Sequence, residues 1–398
     1  MNKPELLAPA GDMEKLKTAL YFGADAVYLG GPGLHLRAAS ADFTLDDLQT
    51  GVEYAHGLGK RVYVTVNAFA RNGDFETLPE YAQALSHMGV DAVLVADIGV
   101  LAAVKKAAPS LPVHISTQAN CTNYAAANAY HDLGASRVVL ARELSMEEIG
   151  ELRSKIHPGL ELEVFIHGAM CMAYSGRCLI SSYLTGRDSN RGGCAQPCRW
   201  TYALMEESRP GEYFPVYEED GFTTILSSCD LNTMAFVDQL ADMGIDSLKI
   251  EGRMKSPYYV ATVINAYRRR LDGSAPVEQL EQELLCASHR AQSSGFYFGE
   301  LKRHTPDPGI YHQNCLFIGP VLEQHHGRIL VEQRNRFGIG DRLEVLSPQS
   351  LGDSFMVEGL WDRDGAPLLE AIHPQEAVWV SCPFSLSPGD LLRRRISD

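Results

Sequence analysis

Apolar runs recur along the first 252 residues in one setting: apolar positions at helical spacing, a Gly, a small turn, then a short apolar run that stops at polar residues. Four copies align: Gly23-Ala24-Asp25-Ala26-Val27-Tyr28-Leu29-Gly30, Gly89-Val90-Asp91-Ala92-Val93-Leu94-Val95-Ala96-Asp97, Gly134-Ala135-Ser136-Arg137-Val138-Val139-Leu140-Ala141-Arg142 and Gly244-Ile245-Asp246-Ser247-Leu248-Lys249-Ile250-Glu251-Gly252. Glycine closes a helix in the left-handed conformation at low cost, and a continuous apolar run is what a strand buried on both faces requires. Each copy therefore predicts a helix end feeding a parallel strand. Leu6–Pro9, Arg61–Asn67, Val113–Gln118 and Glu161–His167 bring the predicted strands to eight, and Met13–Phe22, Leu78–Met88 and Met146–Ile156 carry helical periodicity between them. Eight strands alternating with helices over about 250 residues predict an α/β chain folded as a (β/α)8 TIM-like barrel, with a doubly wound open sheet as the competing architecture.

The pattern changes twice. After the seventh strand, Gly168 to Cys229 interrupts the alternation before a predicted helix, Leu231–Met243, leads into the eighth strand. Such a long connection in a compact domain is usually functional or disordered; within it the acidic, turn-rich stretch Glu206–Gly221 reads as a mobile or hairpin excursion. Beyond the barrel, helices Tyr258–Leu271, ending in Arg268-Arg269-Arg270, and Val277–Ala287 precede a new texture from about Gly309. Short alternating runs, Leu316–Val321, Arg328–Gln333, Asp341–Val345 and Ala377–Val380, predict a small C-terminal β domain, read by analogy as a barrel used for RNA or protein contacts. The expected division is 1–305 for the barrel, with its cysteine-rich loop 168–229, and 306–398 for the β domain.

Barrel enzymes place their chemistry at the C-terminal ends of the strands. The polar residues closing the apolar runs are Asn67, Asp97, Gln118, Arg142, His167 and Glu251. Any strand must end in something polar, which is the plain structural explanation; the functional one assigns Arg142, His167 and Glu251 to substrate positioning or proton transfer and Asn67 and Gln118 to polar contacts.

The long connection opens at the same face. Five of the nine cysteines, Cys171, Cys178, Cys194, Cys198 and Cys229, fall within it, whereas Cys121, Cys286, Cys315 and Cys382 are scattered. Four thiolates from one loop can hold zinc or an iron–sulfur cluster. Structural zinc favours closely paired cysteines, and only Cys194 and Cys198 are that close, so the iron–sulfur centre is preferred. Spacing alone does not decide which of Cys194 and Cys198 is the fourth ligand, and buried thiols that merely pack are the alternative.

Composition narrows the partners. The chain is 45% hydrophobic and 21% charged, as in an ordinary globular protein, and no stretch approaches the roughly 20 apolar residues of a membrane helix. Its start lacks the pattern of a signal peptide, so a cytoplasmic location without disulfides is expected. A formal charge of -15 argues against coating of nucleic acid or anionic lipid by the whole molecule. Local contacts remain available, since Arg177, Arg187, Arg191 and Arg199 share the cysteine loop with Tyr174, Tyr183, Trp200 and Tyr202. Arginine with aromatic side chains suits a splayed single-stranded base, and the same arginines can clamp carboxylates; solvated loop arginines and packing aromatics are the plainer reading.

The string from His167 to Cys178, which contains Cys-Met-Ala-Tyr-Ser-Gly-Arg-Cys, the Cys194-Ala195-Gln196-Pro197-Cys198-Arg199-Trp200 element and the opening Glu5-Leu6-Leu7-Ala8-Pro9-Ala10-Gly11 resemble the collagenase-like proteins of peptidase family U32. The resemblance spans the barrel from end to end. It implies hydroxylation proteins with a 4Fe-4S cluster rather than proteases, whose branches act on the wobble uridine of tRNA with prephenate as hydroxyl source, on a cytidine of ribosomal RNA, or on the ubiquinone ring without oxygen. It places the cluster ligands on Cys171, Cys178, Cys194 and Cys229, with Cys198 spare. The added C-terminal β domain resembles the tRNA branch, so the expected activity is 5-hydroxylation of a tRNA uridine, with Arg177, Arg187 and Arg199 among the substrate contacts and a protein partner possible.

Two rivals belong to other classes. A protease needs a nucleophile within reach of an oriented base, and the chain has neither a Gly-x-Ser-x-Gly elbow nor a His-Glu-x-x-His helix. A cluster-bearing scaffold would leave the chemistry to a partner and would only co-purify with it.

Overall fold

The computed structural model describes residues 3–34, 43–170, 180–185, 187, 194–197, 204–205, 213–214, 217–219, 222–224, 229–299 and 311–396. The chain divides into two compact units: Met1–Leu16, Ala24–Met254 and Arg290–Tyr311 form the first, and Lys17–Gly23, Lys255–His289 and His312–Asp398 the second.

The first unit contains the closed parallel barrel. Its strands are β1 (Glu5–Pro9), β2 (Ala26–Gly30), β3 (Arg61–Val66), β4 (Ala92–Val95), β5 (Val113–Ile115), β6 (Arg137–Val139) and β7 (Glu161–Ala169), followed after a short strand β8 (Asp230–Asn232) by β9 (Ser247–Ile250). Each barrel strand pairs with its neighbour in parallel, and β9 closes the ring by pairing with both β1 and β7, with Leu248 opposite Leu6 on one side and Val164 on the other. The four repeat glycines take φ values of 104°, 79°, 98° and 79° at Gly23, Gly89, Gly134 and Gly244, the left-handed turn predicted for them. Helices in the intervening segments begin at polar caps, as at Thr44 and Ser145, each of which forms a reciprocal capping box. No helix among the described residues is long and apolar enough to cross a membrane.

The connection into the last barrel strand departs from expectation. Leu231–Met243 is not one helix: Asp230–Asn232 is β8, and only Val237–Asp242 is helical. β7 is the longest barrel strand, and β8 pairs antiparallel with its end, Asp230 opposite Ala169, while also pairing with β10 (Gln292–Ser293). These long-range ladders satisfy the backbone that a helix would otherwise satisfy locally. In the acidic excursion, Leu204–Met205 pairs with Tyr213–Phe214 and Tyr217–Glu219 with Phe222–Thr224, both antiparallel, which matches the hairpin expectation.

At the N-terminal ends of the strands the barrel interior holds charge rather than hydrocarbon. Arg137 donates to Glu5 at 2.6 Å and to Glu163 at 3.1 Å, and Lys249 donates to the other Glu163 oxygen at 2.8 Å. Tyr63 and Ser247 hydroxyls add bonds to Glu5 at 2.7 and 3.0 Å. Glu163 is completely buried, so its charge is tolerated only because two cations share it.

In the second unit, helix Pro257–Asp272 runs from an N-cap at Ser256 to Gly273 at φ 64°. The β domain is a seven-stranded sheet of antiparallel pairs, in the order Leu351–Met356, Arg342–Leu346, Leu391–Arg395, Cys315–His325, Arg328–Glu332, Ala377–Ser381 and Leu360–Trp361. Its core gathers Ile318, Val331, Phe337, Leu343, Val380 and Leu392. The ladder does not return on itself among the described residues, so the expected small barrel is found as a sheet.

Candidate active site

A small cavity of about 70 Å³, open to solvent, lies where the barrel strands end, lined by Tyr28, Thr65, Asn67, Leu94, Ser116, Thr117, Gln118, Phe165, Lys249, Glu251 and Arg253. Phe165 and Leu94 supply apolar wall, and the lining includes two cations, Lys249 and Arg253, and one carboxylate, Glu251. Lys249, held from below by Glu163, lies 4.4 Å from the Tyr28 ring centroid and 5.6 Å from that of Phe165, so both its charge and its stem are fixed. Tyr28 donates its hydroxyl to Ile250 O at 3.0 Å and to the Glu251 carboxylate at 3.4 Å. Gly30 makes room for Arg253: a Cβ there would stand 2.0 Å from its guanidinium.

Polar groups complete the wall. Asn67 Nδ2 donates to Ser116 Oγ at 3.0 Å, while its Oδ1 is buried with no hydrogen-bond partner among the described residues. A buried acceptor left in that state favours a ligand that donates an N–H or O–H to it. The Ser116 hydroxyl also receives the Gln118 N–H at 3.4 Å, and Thr117 donates to Leu140 O at 3.1 Å, which fixes the short turn that carries all three side chains.

Of the residues chosen from the sequence, Asn67, Gln118 and Glu251 line the cavity. Arg142 and His167 do not. Arg142 donates to Ala169 O at 2.9 Å and lies over the Phe165 ring, bracing the end of β7; His167 is buried in β7, and its carbonyl accepts the Glu251 N–H at 2.9 Å. Arg187 is exposed. Arg177, Arg199, Cys171 and Cys178 lie outside the described residues. Lys249, Arg253, Ser116 and Tyr28 line the cavity as well; of these, Lys249 carries a sequence signal, since a lysine inside an otherwise apolar strand run marks a side chain aimed into the barrel.

An extra residue between Phe165 and His167 shifts the β7 register against β9, and Gly168 follows at φ 106°. A Cβ on Gly168 would sit 2.5 Å from Glu251 O. Gly168→Ala is therefore expected to push Glu251 out of place and to cost about 1–3 kcal/mol from the left-handed backbone alone; urea unfolding and turnover measured side by side should both fall.

The cysteine segment follows the end of β7. β8 pairs with the last residues of β7, so half-buried Cys229, which precedes Asp230, is brought next to the point where the chain runs on from Met170 toward Cys171. Residues far apart in sequence are thereby joined at one place. Asp230 is anchored by Arg290, whose Nε and Nη2 donate to Oδ1 at 3.0 and 2.8 Å and whose backbone N–H donates to Oδ2 at 3.1 Å. Cys194 is also half-buried, and its sulfur accepts the Gln196 N–H at 3.4 Å. An N–H directed at sulfur stabilises a thiolate, so the donor chemistry at Cys194 fits an iron–sulfur ligand.

A model described as peptidase family U32 matches residues 11–306, and one described as peptidase family U32 C-terminal domain matches 313–393. The tRNA hydroxylation protein P1 of Bacillus subtilis is 39% identical over 99% of this chain and 95% of its own length. The tRNA hydroxylation protein P of Escherichia coli is 36% identical over 97% and 95%, and the collagenase of Porphyromonas gingivalis is 32% identical over 87% of each chain. With a family model covering all of the barrel after its first strand, a second covering the β domain, and relatives aligned nearly end to end, the chain belongs to peptidase family U32.

Proposed function

We propose that the protein hydroxylates a uridine of tRNA at the mouth of its barrel, using a 4Fe-4S cluster held by Cys171, Cys178, Cys194 and Cys229. The observation that carries this reading is the cavity, on which amide, hydroxyl and cationic groups converge; β8 separately brings Cys229 to the end of β7, next to the point where the chain runs on toward Cys171. The near full-length similarity to two proteins named for tRNA hydroxylation supports the same choice.

A cluster bound there would supply one-electron redox chemistry. The chain's own residues have separate tasks. Asn67 Oδ1 and the Gln118 amide can read the donor and acceptor edge of a uracil ring lying against Phe165. Lys249 and Arg253 suit the carboxylates of a small anionic hydroxyl donor such as prephenate. Glu251, close to the Tyr28 hydroxyl, can hold or move a proton at its carboxylate. His167 and Arg142 then act by position, holding the end of β7 rather than touching substrate, and Arg177, Arg187 and Arg199 would meet the RNA backbone.

The test starts with anaerobic purification, iron and sulfide analysis and a visible absorbance spectrum of wild type and Cys171→Ala. Broad visible absorbance that is lost in the variant, together with hydroxyuridine in tRNA from cells that carry the wild type only, is the expected result. Zinc or no metal under strict anaerobiosis would overturn the cluster assignment. Cleavage of gelatin by protein that leaves tRNA unmodified would favour the peptidase reading suggested by the Porphyromonas relative.

A further inference from the structure

Two cysteines outside this site face each other within the second unit. Cys286 follows helix Val277–Leu284, and Cys315 opens strand Cys315–His325; both are fully buried, and their Sγ atoms stand 2.8 Å apart. At that separation one thiol hydrogen-bonds the other, and only a short further approach separates the pair from a disulfide of about 2.05 Å.

The backbone holds them there. Asn314, just before Cys315, donates its N–H to the carbonyl of Leu285, just before Cys286, at 3.0 Å. His289 and His312 exchange both backbone hydrogen bonds, at 3.0 and 2.8 Å, so the two segments are pinned to each other beside the cysteines. Tyr258 adds a bond from its hydroxyl to Cys286 O at 3.3 Å. Two sulfurs opposed across such a pinned pair need little backbone movement to bond.

The surroundings decide which sulfur ionises. Cys315 lies opposite Arg395 in the sheet, and the buried Arg393, held by Glu283 at 2.7 Å and Glu344 at 3.0 Å, is close by. The Cys286 thiol, followed by Arg393 and Arg395, lowers the Cys315 thiol against the opposing effects of burial and Glu344, while Cys286 is raised by the same shared hydrogen bond and by burial.

We propose that Cys286 and Cys315 form a dithiol–disulfide couple, an oxidation site closed by a peroxide and reopened by a thiol reductant. The Cys315 thiolate attacks one oxygen of hydrogen peroxide; the O–O bond breaks, hydroxide leaves and takes up a proton, and Cys315 becomes a sulfenic acid. The Cys286 sulfur then attacks that sulfur, forming the S–S bond and releasing a second water with the Cys286 proton. Two thiols and one peroxide thus give one disulfide and two waters. The closed bond joins the ends of the segment 287–314. Because both sulfurs are buried, a small oxidant is required.

The experiment exposes the full-length protein to graded hydrogen peroxide, blocks remaining thiols with N-ethylmaleimide under denaturing conditions, and maps peptides by mass spectrometry without reduction. The expected product is a Cys286–Cys315 linked peptide, lighter by two hydrogens than its parts, which disappears on treatment with dithiothreitol and is absent from Cys315→Ser. Alkylation of both cysteines, or sulfinic acid on either, at peroxide doses that oxidise the other thiols would overturn the proposal. The wild-type map decides the matter even if the Ser variant fails to fold, and it does so whether or not the protein modifies RNA.

Discussion

Glu163→Ala should cost the barrel about 3–5 kcal/mol, because it leaves Lys249 and Arg137 with buried charge that Glu163 now shares. The size follows from an asymmetry: replacing a whole buried charge cluster with well-packed hydrocarbon can be neutral, whereas removing one member exposes the others to the full cost of desolvation. The loss should be read as a lower urea midpoint in protein purified anaerobically. Combining Glu163→Gln with Lys249→Met should recover part of it, since that pair removes both sides of the imbalance. An Ala variant with the wild-type midpoint would mean that water enters the barrel floor and screens the charges.

The same network sets an acid limit. Burial acts to raise the Glu163 carboxyl, but Lys249 and then Arg137 outweigh it, so its pKa lies below the ordinary carboxylate value. Its contribution to stability is therefore complete above the unfolded value of about 4.3 and is lost as pH falls through the lower folded value. His114 acts earlier. Burial, followed by Arg137, Lys249 and Arg61, holds this imidazole neutral well below its usual range, so from about pH 6.5 downward the unfolded chain binds a proton that the folded chain does not. Stability should decline from about pH 6.5 downward, and His114→Phe should flatten that first part of the curve without altering the Glu163 step.

Asp230→Ala is expected to have a comparable effect on stability, about 3–5 kcal/mol, by stranding the buried Arg290 guanidinium. Its second consequence is local. Three hydrogen bonds from Arg290 fix the carboxylate of the residue that follows Cys229, so without them the end of β8 should fray and Cys229 should lose its fixed place. On the cluster proposed above, anaerobically prepared Asp230→Ala should then bind less iron than wild type, with weaker visible absorbance, while Asp230→Asn, which keeps the size and part of the bonding, should fall between. Wild-type iron content together with a lowered unfolding midpoint would confine the pair to a structural role.

Some of this was open to a reader of the chain and some was not, and the difference follows the range of the interactions. Glycines at helix ends and continuous apolar runs act over a few residues, which is why Gly23, Gly89, Gly134 and Gly244 and the eight barrel strands could be placed from local pattern alone. Strand-end position sufficed to bring Asn67, Gln118 and Glu251 to the cavity wall. It failed for His167, where the added residue in β7 shifts the register against β9, and for Arg142, whose side chain is drawn to Ala169 O and the Phe165 ring at the end of β7; both depend on a partner strand. Helical spacing misread Leu231 for a like reason: the backbone of Asp230–Asn232 finds hydrogen bonds on β7 and β10, from residues about 60 positions away on each side.

The sequence by itself determined the alternation of strands and helices, the family motifs and the clustering of five cysteines in one connection, since all of these are written in consecutive residues. Only the tertiary structure decided that Glu5, Arg137, Glu163 and Lys249, on four different strands, meet in one buried charge network, that Arg290 anchors the residue beside Cys229, and that Cys286 faces Cys315. Each of those contacts is made by ring closure or by pairing between distant segments. Its energy depends on burial and on distances that exist only once the chain has folded.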